Sequence, residues 1–255
     1  MLGLGVGFYG LSGQDQVGFQ PSDIPNLSLH IEYTAARADG SSVTSIPETF
    51  TQIGADFKFL APTSTAHAPI ISQGNGSELH PGVVVFSPSG TPDRLNLNDS
   101  SDNDLTEIVL DTSNGGYTVI FVGSGGSNIL SGNNNGSSLT SNIGGGASTY
   151  SLKAGGVTKT FNVNNYSGQA NNEVDGDDVC VIMFKVQPNG NTSLSIDNLA
   201  QINSSLPNTN DFVFDTMGGV NYDGRFRYLF LYDRALTEAE SNRIFEHVAH
   251  VIQKA

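Results

Sequence analysis

The densest run of carboxylates in the chain is Glu173-Val174-Asp175-Gly176-Asp177-Asp178. Carboxylates at alternating positions of a strand share one face, so that one can act as acid and another as nucleophile across a glycosidic bond. Here Gly176 interrupts the alternation, no final Glu closes the motif, and the run precedes an apolar strand rather than lying in it. It reads as a solvated acidic turn, and no enzymatic activity is expected. The same segment imitates the start of a calcium loop through Asn171, Glu173, Asp175 and Gly176, but Ile182 occupies position 12, where such a loop needs a bidentate Glu. Asn98, Asp99, Asp102 and Asp104 make a second oxygen-rich stretch. No cofactor is required by either; Ca²⁺ is the cation that Glu173, Asp175, Asp177, Asp99 and Asp102 would suit, and ordinary polar loops are the alternative.

Other chemistries find less support. Among His30, His67, His80, His247 and His250, only the last two sit at a ligand-like i, i+3 spacing, and a half-wet helix side explains them equally well. Nucleophile elbows and phosphate loops are absent, and the early Gly-Val-Gly-Phe-Tyr-Gly is followed by no helix signal. Sugar recognition asks for an aromatic face to stack on and for amide and carboxylate groups to meet hydroxyls. Tyr150, Tyr166 and Tyr222, read as loop or strand-end aromatics, could serve, although the chain has no Trp.

Composition narrows the classes further. Of 255 residues only 14% are charged, and 11 basic against 25 acidic side chains leave a net charge of −14. About 25% charged is usual, so polarity is carried by neutral Asn, Ser, Thr and Gly. An acidic chain without a Lys/Arg stripe repels phosphate backbones, which excludes nucleic acid as a partner. No apolar run is long enough to span a membrane as a helix, and the N-terminus lacks the basic stretch of a secretory signal. The single Cys180 lies within an apolar run and reads as a buried thiol. With 14 Phe and 8 Tyr the chain can build a core rather than remain disordered.

The elements that would carry these groups are mostly strands. Runs rich in Val, Ile, Phe and Tyr lie at 28–35, 55–60, 82–87, 116–123, 157–163, 178–186, 192–197, 211–215 and 225–233, with Gly, Pro, Asn and Asp between them. The continuous apolar runs at 82–87 and 178–186 predict strands covered on both faces. Pro188-Asn189-Gly190 predicts a hairpin turn, and Asp197-Asn198 a second. Residues 124–148 read as loops with short strands near Ile129-Leu130 and Ser138-Leu139-Thr140. Only the end is helical: Thr237-Glu238-Ala239-Glu240 forms a capping box before the stripe Ile244, Phe245, Val248, Ile252. The expected fold is an all-β, two-sheet antiparallel sandwich (jelly roll) with one C-terminal amphipathic helix. The first 26 residues, where Leu2, Leu4, Val6 and Phe8 alternate with Gly, read as an extended arm, and 27–255 as the sandwich domain.

The stretch 224–248, GRFRYLFLYDRALTEAESNRIFEHV, resembles the last strand and closing helix of concanavalin A-like (laminin G-like) jelly rolls. Residues 177–202 are similar to that family's long strand, tight turn and following hairpin, with Asp197-Asn198 where Asp-Gly is usual. The opening PSDIPNLSLHIEYTAARADG and the segment 68–98 resemble a pattern of bacteriophage structural proteins, with His30-Ile31-Glu32 in place of Trp-Leu-Asp. The resemblance implies a non-catalytic virion protein, a capsid or tail decoration subunit in a multi-copy or homo-oligomeric assembly, built in the host cytoplasm. Leu2, Leu4, Val6, Phe8 and Tyr9 would then dock on neighbouring virion subunits. It also leaves open a tail-fibre adhesin that binds host polysaccharide through its Tyr-bearing loops.

Overall fold

The computed structural model describes residues 19–33, 42–43, 46–47, 58–72, 83–87, 91–99, 107–124, 127–132, 136–142, 149–163, 180–197, 202–203, 207–219 and 222–252. The first half of the chain forms β1 (Leu27–Glu32), β2 (Ile46–Pro47), β3 (Phe59–Ala61), β4 (Ile70–Ser72), β5 (Val83–Phe86), β6 (Arg94–Asn98), β7 (Ile108–Leu110), β8 (Tyr117–Gly123) and β9 (Leu130–Gly132). The second half adds β10 (Ser137–Asn142), β11 (Thr149–Ala154), β12 (Val157–Asn162), β13 (Cys180–Val186), β14 (Thr192–Ile196), β15 (Ile202–Asn203), β16 (Phe212–Phe214), β17 (Thr216–Gly218), β18 (Gly224–Tyr232) and the helix α1 (Glu238–Ile252).

Two 8-stranded antiparallel sheets face each other. One runs β15-β14-β13-β8-β18-β5-β4, with β1 also on β18; the other runs β12-β11-β10-β9-β17-β6-β3-β2. A 2-stranded pair, β16-β7, completes the described strands. The architecture is the all-β sandwich with a C-terminal helix that the sequence predicts. The runs named above overlap β1, β3, β5, β8, β12, β13, β14, β16 and β18, while β2, β4, β6, β7, β11, β15 and β17 carry weaker signals and lie outside them.

The central strands of the first sheet, β8, β13 and β18, are apolar at most positions and are covered on both faces. Val119, Phe121, Ile182, Phe184, Leu229 and Leu231 point into the core between the sheets. Their neighbours Ile120, Val122, Val181, Met183, Tyr228, Phe230 and Tyr232 point the other way, against Leu236 and the α1 residues Ile244, Phe245 and Val248. The helix is capped as expected: Thr237 Oγ1 accepts from Glu240 N at 3.3 Å, and the Glu240 carboxylate accepts from Thr237 N at 2.8 Å. Arg234 pairs with Glu240 and donates to the Pro25 carbonyl at 3.2 Å, tying the helix start to the strap before β1. Thr118 Oγ1 donates to the Arg234 carbonyl at 2.9 Å and accepts from Leu236 N at 3.0 Å. The first turn also holds: Gly190 has φ +79°, the left-handed region glycine tolerates. Asp197 likewise has φ +48°, while Asn198 lies outside the described residues.

The last part of the expected arm behaves differently from an arm. Phe19 and Ile24 are buried in the layer formed by α1 and β18, and Arg243 stands 4.0 Å over the Phe19 ring. Tyr232 OH donates to the Pro21 carbonyl at 2.9 Å. Residues 19–26 therefore pack on the chain's own sandwich. Leu2, Leu4, Val6, Phe8 and Tyr9 lie outside the described residues.

Candidate functional site

The tyrosines expected to meet sugars do not present their rings. Tyr150 lies in β11 and is 1% exposed, and Tyr222 is 0% exposed; both belong to the core between the sheets. Tyr150 OH sits 3.7 Å from Cys180 Sγ, and burial together with the nearby thiol pushes its pKa well above the ordinary value. Tyr222 OH donates to the carbonyls of Ser124 and Arg225 at 3.3 and 3.1 Å. A ring must expose a face to stack on a pyranose, so the stacking role expected for Tyr150 and Tyr222 is corrected: they are packing residues. Tyr166 lies outside the described residues, as do Glu173, Asp175, Asp177 and Asp102. Asp99 is half-buried immediately after β6.

The described carboxylates gather elsewhere, where β7, β16 and β18 end or begin. Asp111 accepts from Ser113 N at 2.7 Å, which holds its pKa below the ordinary range along with the Ser113 hydroxyl. Partial desolvation and the adjacent charges of Asp111 and Asp233 push Asp211 up. Asp233 accepts from Asp111 N at 2.9 Å and from Asn114 Nδ2 at 3.1 Å. These bonds pin the turn between β7 and β8 onto the end of β18, so the cluster has a structural use. Among the described residues no group of three or more His, Cys, Asp or Glu is placed to hold a metal ion.

Beneath the helix layer, His30 is 2% exposed and its Nε2 stands 3.4 Å from Glu32 Oε2. Its ring tilts against Phe230 with centroids 4.8 Å apart. Burial raises the Glu32 pKa, but its bond to His30 and the charges of His30 and His247 outweigh that and bring it below the ordinary value. His247 of α1 meets Phe19, Tyr228 and Phe230 edge-on. This group welds β1, β18, the strap and α1 together.

The second sheet offers the opposite situation on its outer side. In an antiparallel pair, residues directly opposite one another point to the same face. Following the register, Asn96 of β6 faces Thr216 of β17, which faces Ser131 of β9. Ser131 faces Ser138 of β10, which faces Lys153 of β11, which faces Thr158 of β12. A second row runs Thr140–Ser151–Thr160, and a third Asn142–Thr149–Asn162. Every member is a hydroxyl, an amide or an ammonium. The alternate row, Leu95–Met217–Leu130–Leu139–Leu152, is wholly apolar and belongs to the core until Lys159 at the edge. Exposure grows along the rows, from buried Asn96 and Thr216 to exposed Thr158 and Thr160. Ser151 Oγ and Thr160 Oγ1 are 2.9 Å apart, a rung between neighbouring strands.

This face was missed because β11 and β17 were missed. The signal for β11 was present: Thr-Tyr-Ser-Leu-Lys-Ala alternates strictly and meets Val-Thr-Lys-Thr-Phe-Asn through Gly155-Gly156, whose φ values of +53° and +82° suit a two-residue hairpin turn.

No family model matches the chain, and no curated protein matches its sequence. Solved structures do match in fold. The receptor binding domain of botulinum neurotoxin C/D mosaic serotype is similar with a TM-score of 0.54 at 13% identity, over 87% of this chain and 51% of its own. The binding domain of botulinum neurotoxin serotype D gives 0.52 at 12% identity, over 87% and 52%. The binding domain of botulinum neurotoxin DC in complex with SialylT gives 0.50 at 12%, over 88% and 51%. This chain thus spans about half the length of those domains. At such identity the likeness is one of fold.

Proposed function

We propose that this chain is a non-catalytic binding module whose ligand is a cell-surface glycan, read by the outer face of the strands β12, β11, β10 and β9. The observation that carries the reading is the accessible part of the polar row, Ser131–Ser138–Lys153–Thr158, beside Thr140–Ser151–Thr160. Hydroxyls and amides fixed at strand spacing can meet sugar hydroxyls without much loss of side-chain freedom, because Ser, Thr and Asn are short and already held by the sheet. Support also comes from the fold, which is shared with receptor-binding domains, one of them in complex with SialylT. Fold likeness alone does not carry a site, so the face has to be tested directly. In a glycan array probed with the full chain, we expect saturable binding that Ser151→Tyr, which puts bulk in the middle of the face, abolishes. Binding unchanged by that substitution would show the ligand to sit elsewhere.

A second reading is a virion subunit, a capsid or tail decoration protein whose first residues dock on neighbouring subunits. It is favoured by the resemblance of residues 21–40 to phage structural proteins. Incorporation into particles at full occupancy by a chain lacking residues 1–18 would remove the second.

A further inference from the structure

We propose that the polar face selects an acidic glycan, whose chain lies across the strands with a carboxylate held at Lys153; this rests on the glycan-binding reading above. The inference comes from where charge is placed. The chain carries 25 acidic residues against 11 basic ones, yet the strands of this sheet hold Arg94, Lys153 and Lys159 and no Asp or Glu. Lys159 points inward from the edge strand and is buried. Lys153 points outward, with Ser138 and Thr158 opposite it on the two flanking strands and Ser151 two residues along its own. Arg94 stands at the other end of the face, two residues before Asn96, and is exposed.

The consequence is electrostatic complementarity of an unusual kind for so acidic a chain. The strands flanking Lys153 put no carboxylate beside it, so an anion placed there meets the ammonium without a like charge from those strands. The geometry supplies direction. Neighbouring strands are about 4.8 Å apart, close to the length that one pyranose adds to a polysaccharide. Successive sugars laid across the sheet would meet successive strands and the Ser and Thr hydroxyls they carry. With no aromatic ring among the described residues of these rows, hydrogen bonds and the Lys153 ammonium supply the affinity. A charge-assisted hydrogen bond of this kind is roughly twice as strong as a neutral one, so the carboxylate decides selectivity.

The test uses the full chain and polymer-displayed glycans paired to differ in a carboxylate: sialyllactose against lactose, and alginate against dextran. The acidic member of each pair is expected to bind about tenfold tighter, as one charge-assisted contact implies, and the advantage should shrink as salt is raised. Lys153→Gln is expected to remove the preference while leaving the urea midpoint unchanged, whereas Arg243→Gln, on the helix side, should keep it. Equal binding of acidic and neutral members, or a preference that survives Lys153→Gln, overturns this inference and leaves the glycan reading standing. Failure to bind any of the four probes overturns the glycan reading itself.

Discussion

The two sheets are built from strands of similar length and opposite patterning. In β8, β13 and β18 every position is buried or nearly so, whereas β10, β11 and β12 alternate between core and outer face. A strand apolar at each position needs cover on both sides, and the capped helix α1 with the strap at Phe19 and Ile24 provides it. A strand that alternates needs cover on one side only. The first sheet thus depends on packing at both faces, while the second keeps an outer surface where substitutions cost the fold little.

That contrast can be broken from either end. The largest effect is expected for Phe230→Ala in the covered sheet, where the ring is 0% exposed and packs on His30 and Tyr228. It should cost about 3–5 kcal/mol, read as a drop in the urea midpoint. Ile244→Ala, which removes the helix's buried anchor, should cost about 2–4 kcal/mol and expose the outer face of the first sheet to a hydrophobic dye. Thr237→Ala removes the cap oxygen and should cost about 1 kcal/mol in the same assay.

A smaller effect is expected from pH. Glu32 and Glu240 both have folded pKa values below the ordinary carboxylate value; for Glu240 partial desolvation opposes the shift, and the Thr237 bonds and Arg234 outweigh it. Their contribution is complete above the unfolded value of about 4.3 and is lost as pH falls through the lower folded values. Midpoints should therefore decline in acid below about pH 4, and less steeply in Glu240→Gln. At the small end, Thr160→Ala on the outer face should shift stability by less than about 0.5 kcal/mol. A loss at Thr160 comparable to that at Phe230 would erase the distinction between the sheets.

The sequence made the covered sheet readable and the open one obscure, for a physical reason. Continuous runs such as Cys180–Val186 have no competing interpretation once turn residues flank them, and the Thr237–Glu240 box marks the helix start without ambiguity. Segments such as Thr149–Ala154 and Thr216–Gly218 dilute their apolar signal with Ser, Thr and Gly on the outward side, which locally imitates a loop. The same dilution hid the polar face and made Tyr150 read as a loop aromatic, when its alternation with Leu152 and Ala154 places it inward. Tyr222 misled for another reason: it precedes its strand, yet its ring turns back onto Phe86, with centroids 5.0 Å apart. No local period encodes that contact. Calcium at Asp99 and Asp102, and docking through residues 2–9, rest on segments wholly or partly outside the described residues.

The most direct test of the polar face as the ligand surface is a chemical-shift titration of the isotopically labelled full chain with sialyllactose. The account expects the largest amide shifts in β10, β11 and β12, centred on Ser151 and Lys153, with β8, β13 and β18 unmoved. Shifts confined to the loops, or to the helix side of the sandwich, would contradict it.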